Sequence, residues 1–392
     1  MFAFLTAARK PIVRLAAAAF AALSLAACDP IALGGGGGGR INPSAPVQVA
    51  LLVPASSPDG GALLSRSLEN AARLAITDLD GVQIDLKVYD SGGQPAQAAE
   101  AATRAVADGA QIILGPVFAQ AANAAGVAVA DRGVNLLAFS NNTSIAGGNV
   151  FVLGNTFENT ANRLVSYAAR QGRGNIYVVH GQSTAEELGR DAILGAIQAN
   201  RAQLAGVSSF ELSQQGVTRA VPGIASAIQA SGANALFMTS DTAGALPFLA
   251  DLLPANGVSP SATQFIGLSR LDIPSSALSL QGLQGSWFAL PDPGLTSRFE
   301  SRYTAAYGSN PHAIAGLAYD GIAAIGALVK TGRRDALSTS ALTQGSGFIG
   351  VNGIFRLRPD GTNQRGMAVA QIRNNQVVVI DPAPKSFGGP GF

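Results

Sequence analysis

From position 47 onward the hydrophobic residues change spacing in a regular rhythm. The run VQVALLV over 47–53, closed by Pro54, predicts a short buried strand. Leu64, Leu68, Ala72, Ala75 and Ile76 then recur at helical intervals. Val82, Ile84, Leu86 and Val88 alternate with polar residues, which predicts a second strand. Pro95 suits the first turn of a helix that runs through alanines to 107. A strand over 111–114 ends at Gly115-Pro116, a helix follows over 119–131, and strands follow over 134–139 and 150–153. The pattern then restarts. Helices over 158–170, 186–200, 223–230 and 243–253 alternate with strands over 175–179, 207–212, 235–239 and 264–268. Two further helices, 296–307 and 312–330, precede a strand-turn-strand over 368–372 and 377–380. Strands alternating with helices imply parallel sheets covered on both faces, so the fold class is α/β with two doubly wound units in tandem.

In open α/β sheets, ligands bind beyond the carboxyl ends of the strands. Here those ends are polar or glycine-rich. They include Ser56, Ser57, the stretch Ser140, Asn141, Asn142 and Thr143, residues 182–184, Asp241, and Ser269-Arg270. Because they come from both units, they predict a cleft between two sheets.

The segment before 47 has a different character. Arg9, Lys10 and Arg14 precede an apolar stretch over 15–27, and small residues lead to Cys28, the only cysteine. That is the layout of a secretory signal peptide over 1–27, too short in its apolar part to span a bilayer. Leu25-Ala26-Ala27-Cys28 resembles a bacterial lipobox. The resemblance implies cleavage before Cys28 and a lipid on that residue, anchoring the chain to the inner or outer membrane. Asp29 resembles an inner-membrane retention signal. Residues 28–46, with an unbroken glycine run over 34–39, then serve as a flexible tether of roughly 20–25 Å.

Composition removes several function classes. Loss of the three signal-segment cations leaves 23 basic against 24 acidic residues, so no basic surface argues for nucleic acid. One cysteine permits no internal disulfide. The two histidines, His180 and His312, are far apart and form no metal-ligand cluster. No phosphate loop and no nucleophile elbow occur. No metal, cofactor or catalysis is expected.

The stretches Ile112-Ile113-Leu114-Gly115-Pro116 and Leu317-Ala318-Tyr319-Asp320-Gly321, with the ending over 350–380, resemble type I periplasmic binding proteins of the Leu/Ile/Val-binding kind. The resemblance implies two Rossmann-like lobes with parallel sheets, a Venus-flytrap joined by three crossovers. It places lobe 1 at 47–153 with 287–340, lobe 2 at 154–286 with 341–382, and a flexible tail at 383–392. It implies a periplasmic, non-catalytic protein that captures a small polar ligand, anionic or amino-acid-like, and passes it to an ABC permease. Carried over position by position, its candidate contacts are Ser56, Gln120, Ser140, Asn141, Asn142, Thr143, Asp241 and Arg270. The family's usual hydroxyl after the third strand is missing from 117–120, where Gln120 is the polar residue. Its usual acidic residue is replaced at 267–270, where Arg270 would repel an ammonium group and Asp241 is the remaining acid. Arg270, Asn141 and Asn142 together suit a carboxylate, so little binding of common amino acids is expected. Stretches at 139–141, 287–293 and 353–361 also resemble penicillin-binding protein activators. That resemblance implies regulation of a peptidoglycan synthase through contact with a penicillin-binding protein.

Overall fold

Val47–Val53, the first apolar run, forms strand β1, and every residue of it except Gln48 is buried. The positions come from a computed structural model that describes residues 40–388 apart from Asp59. Helix α1 (Gly61–Thr77), β2 (Ile84–Asp90), α2 (Pro95–Ala107), β3 (Ile112–Leu114), α3 (Ala119–Ala128), β4 (Asn135–Ala138) and β5 (Val150–Val152) follow. The strands form a five-stranded parallel sheet in the order β2-β1-β3-β4-β5. Alternate residues of β1 serve opposite faces, as strand geometry dictates. Val49, Leu51 and Val53 join α1 in one core cluster, while Ala50 and Leu52 meet the alanine faces of α2 and α3 in another.

The second unit runs α4 (Phe157–Arg170), β6 (Asn175–Gly181), α5 (Thr184–Ala199), β7 (Gln203–Phe210), α6 (Gln214–Ser231), β8 (Ala235–Met238), α7 (Leu246–Ala255), β9 (Gln264–Gly267) and β10 (Trp287–Leu290). Helix α6 starts well before the expected 223. Ser213 caps it by accepting the Gly216 N–H, and Val217, Val221 and Ile224 are buried, so packing carries the helix past Pro222.

The chain then returns to the first unit with α8 (Pro293–Tyr307), α9 (Ala315–Val329) and α10 (Thr339–Leu342). There β11 (Phe348–Gly350), β12 (Gly353–Leu357) and β13 (Asn363–Arg365) form a small antiparallel sheet. It ends in the second unit with β14 (Ala368–Arg373) and β15 (Gln376–Asp381). The larger sheet has the order β15-β14-β10-β9-β8-β6-β7, with β14 and β15 antiparallel at one edge. Asp78, at the end of α1, takes a two-pronged bond from Arg302 (2.8 and 2.6 Å) and one from Tyr319, fixing α8 and α9 on α1. The Arg302 bonds hold the Asp78 carboxyl below its usual range despite partial burial. Burial and the same carboxylate push the Tyr319 hydroxyl up to about 12.

Four expected boundaries move. Trp287–Leu290, expected in lobe 1, is β10 of the seven-stranded sheet, pairing with β9 and β14. The reason is burial on both faces: Phe288 enters one core cluster of that lobe, and Trp287 and Ala289 enter the other. Residues 341–365, expected in lobe 2, stay with lobe 1, because Leu342, Phe348, Phe355 and Leu357 share its core. The expected tether over 28–46 does not reach 46. Ile41 is buried, and its N–H donates to the Arg334 carbonyl at 2.8 Å. Of the expected tail, Ala383 is buried and Arg356 lies 4.5 Å over the Phe387 ring. Cys28 and the expected signal segment over 1–27 lie outside the described residues.

Candidate functional site

Each lobe presents its candidates at the carboxyl ends of neighbouring strands. In lobe 1, Ser56 follows β1, Gln120 lies in the first turn of α3 after β3, and 140–143 follow β4. These three strands are consecutive in the sheet. Asp90, at the end of β2, accepts the N–H groups of Ser56 (3.2 Å) and Gly92 (2.8 Å). Burial alone would raise its pKa, but bonds from the Ser56 hydroxyl and from the Gly92, Ser56 and Ala55 N–H groups outweigh it and hold the carboxyl low. Ser56 is therefore tied to the sheet edge. Ser140 is buried, and its hydroxyl accepts the Asn142 N–H at 3.1 Å. Asn142 in turn accepts the Ser144 N–H at 2.9 Å, an Asx turn that fixes the loop. Asn141 is exposed, as are Gln120 and the ring of Phe118.

In lobe 2 the structure separates free charge from paired charge. Arg270 makes a two-pronged bond to Asp272, at 2.6 and 2.5 Å. This changes the electrostatic expectation, because the guanidinium is already neutralised by the chain's own carboxylate and does not stand free to repel an ammonium group. Asp241 uses Oδ1 to accept the N–H groups of Ala243 (3.1 Å) and Gly244 (2.7 Å), holding the turn before α7. The two residues follow β8 and β9, which are adjacent in the sheet.

The residue that knits this face together is Glu186, in the first turn of α5. It stands three positions after the N-cap Ser183, the spacing of a capping box. Ser183 does accept the Glu186 N–H at 3.3 Å. The carboxylate, however, reaches past the cap. Its Oε2 accepts the Gly181 N–H (2.5 Å), the Thr239 hydroxyl (2.7 Å) and the Ser240 hydroxyl (2.9 Å). Glu186 thus clasps the ends of β6 and β8.

The lobes join at three crossovers, near 153–156, 290–293 and 365–367. Two are bonded to each other. Asn363 Nδ2 donates to the Val152 and Gly154 carbonyls (both 2.8 Å), and Arg365 Nε donates to the Leu153 carbonyl (2.8 Å). Arg365 also pairs with Asp320 at 2.9 Å, with side chains 5% and 0% exposed. The Gly154 N–H donates to the Ser140 carbonyl at 3.0 Å, which joins the crossover to the candidate loop. Thr143 crosses between lobes, donating to Glu158 Oε1 at 2.9 Å. Beside this joint runs a groove of about 550 Å³, lined by Thr143, Arg358 and Asp360 on one side and Glu158, Leu188 and Asp191 on the other. Among the described residues, no group of His, Cys, Asp and Glu could hold a metal ion, and no helix is long and apolar enough to cross a membrane.

The sequence profile of the family described as periplasmic binding protein matches residues 46–376, and the chain belongs to that family. Its members are periplasmic solute-binding proteins without catalytic activity. A branched-chain amino-acid ABC transporter protein from Rhodospirillum rubrum shares the fold, with TM-score 0.73, 19% identity, and coverage of 86% of this chain and 100% of its own. So does a solute-binding protein of an ABC transporter from Rhodopseudomonas palustris, solved with 3,4-dihydroxybenzoic acid (TM-score 0.59, 18% identity, 86% and 96% covered). A third, the ABC transporter substrate-binding protein from Desulfitobacterium hafniense in complex with Leu, has TM-score 0.62, 15% identity and coverage of 86% and 100%. No curated protein matches the chain.

The second resemblance, to penicillin-binding protein activators, gains no support from these relatives. Two of the three stretches that carried it have framework roles here. Residues 287–290 are β10, Asp292 caps α8, and 353–357 are β12.

Proposed function

We propose that the protein captures a small carboxylate-bearing solute between its two lobes, for delivery to an ABC permease. The observation that carries this reading is the pairing of two parallel sheets whose adjacent strand ends bear Ser56, Gln120, Ser140, Asn141, Asn142 and Thr143 on one lobe and Asp241 and Arg270 on the other. The crystallised ligands of the two relatives, leucine and 3,4-dihydroxybenzoic acid, share a carboxylate. Exposed donors such as Asn141 and Gln120 supply uncharged hydrogen bonds for such a group, and Phe118 supplies an apolar wall.

Mass spectrometry of small molecules released from the denatured protein should identify the solute. Added back at a hundredfold excess over Kd, it should stabilise the fold by about 2.7 kcal/mol. Combining Asn141→Ala with Asp241→Asn takes one candidate from each lobe and leaves the Asp241 turn its acceptor oxygen. The double variant should lose that thermal shift; an undiminished shift would move the site away from these strand ends.

We also infer that Cys28 carries the membrane anchor, a reading supported by the apolar segment and small residues before it. Wild-type protein should sediment with membranes and Cys28→Ser should not carry lipid. Recovery of the wild type in the aqueous periplasmic fraction would end this reading.

A further inference from the structure

We propose that the pole of lobe 1 bearing Arg40, Lys330, Arg333 and Arg334 rests against the anionic headgroups of the membrane in which the chain is anchored. The proposal depends on the anchor reading at Cys28 and adds a surface and its partner to it.

Charge gives the first argument. The chain after 27 is almost balanced, with 23 basic against 24 acidic residues. Its one Arg-Arg pair, Arg333-Arg334, lies just beyond Lys330 in the turn after α9, and all three side chains are exposed. The Ile41 N–H donates to the Arg334 carbonyl at 2.8 Å, which brings the exposed Arg40 alongside them. The acids of this pole are already taken. Asp335 pairs with Arg333 at 2.7 Å, Asp80 with Lys330 at 3.3 Å, and Asp78 with Arg302 at 2.6 Å. The bond from Arg333 holds the Asp335 carboxyl low, and the charge of Arg40 adds to that effect from nearby. Arg40 and Arg334 themselves have no ion pair among the described residues. The pole therefore carries uncompensated positive charge on a chain that has no net excess of it.

Position gives the second. Arg40 follows Cys28 by twelve positions. A glycine-rich coil of that length spans roughly 20 Å. The potential of an anionic bilayer falls off within about 8 Å at physiological salt, so only cations brought close to the surface feel it. Of the whole body, this pole stands nearest the anchor along the chain. Each Lys or Arg at such a surface strengthens attachment by roughly fivefold. Asp80 precedes β2 and Ile41 precedes β1, so the pole lies at the amino ends of the lobe 1 strands. The candidate site lies at their carboxyl ends, a strand length away, and stays open to solute when the pole is seated.

The test uses the full lipidated chain in vesicles of phosphatidylcholine, with and without phosphatidylglycerol. Cys28 is the only native cysteine and lipidation blocks its thiol, so Thr331→Cys and Ala262→Cys each give one labelled site, at the pole and on lobe 2. Energy transfer to a headgroup dye reads distance from the surface. Transfer from position 331 should rise when phosphatidylglycerol is present and fall back in high salt, while transfer from position 262 should not rise. Arg333→Glu with Arg334→Glu should lower the ratio of seated to unseated bodies by roughly a hundredfold or more. Arg40→Gln with Arg334→Gln leaves the ion pairs of the pole in place and should lower it by roughly twenty-five-fold, which keeps the test decisive if the charge reversal disturbs the fold. Equal transfer in the two kinds of vesicle, or a rise that both double variants retain, overturns the proposal and leaves the anchor standing. A chain that stays with neither kind of vesicle overturns the anchor reading and the proposal with it.

Discussion

Asp320→Ala is expected to lower the stability of the folded protein by about 3–5 kcal/mol, because it strands a buried cation. Asp320 lies on α9 and is fully buried; its Oδ1 accepts the Val351 N–H at 2.7 Å, and its Oδ2 accepts from Asn352 and Arg365. Arg365 has no other carboxylate, and its Nη2 has no partner among the described residues. Removing Asp320 leaves the guanidinium with the Leu153 carbonyl and the face of Phe355, 4.8 Å away. Denaturant unfolding followed by circular dichroism measures the loss. Replacing both partners, Asp320→Leu with Arg365→Met, should recover much of it, since an apolar pair leaves no unpaired charge. The half-exposed Arg302 at Asp78 provides the contrast, because solvent screens that pair and Arg302→Ala should cost far less. If Asp320→Ala costs no more than Arg302→Ala, the buried pair does not have the role assigned to it.

Gly154→Val is expected to weaken solute binding by about tenfold or more, equivalent to some 1.4 kcal/mol of misplaced contact. A Cβ at Gly154 would lie 2.4 Å from the Ser140 carbonyl oxygen and 2.8 Å from the Asn141 nitrogen. Both neighbours are backbone, so no side chain can swing aside. The crossover or the 140–143 loop must move, and that loop carries four of the candidate contacts. Gly223→Val is the control, since a Cβ there meets nothing within 4 Å. Calorimetry with the released solute reads the effect. Wild-type affinity in Gly154→Val would show that the loop's position is immaterial to binding.

The repeating strand and helix periods made the two sheets legible, because each strand of the interior is short, apolar and followed by a turn residue. Val47–Val53 and Pro95–Ala107 match the expected bounds. What periodicity could not convey is which lobe a buried segment joins. Trp287–Leu290 has four apolar residues and no alternation, so nothing local distinguishes the two sheets. The loops at strand ends were legible as polar, but not the partners of their charges. Arg270 looked like a free cation although Asp272 stands two residues on. Glu186 carried a local signal in its spacing from Ser183, yet its contacts at Thr239 and Ser240 are some fifty residues distant and arise only from the order of strands.

The bonded crossovers bear on the entropy of recognition. Asn159 of α4 donates to Asn363 Oδ1 at 2.6 Å and accepts the Arg365 N–H at 3.2 Å. With Asn363 and Arg365 already fastened to 152–154, the first and third connections behave as one strap that also grips lobe 2. Such a joint is expected to restrict independent twisting of the lobes. On that expectation the unliganded protein would sample fewer orientations, and binding a solute would surrender less configurational freedom. Affinity in this chain should therefore be unusually sensitive to the polar residues of the strap, although none of them needs to touch the solute.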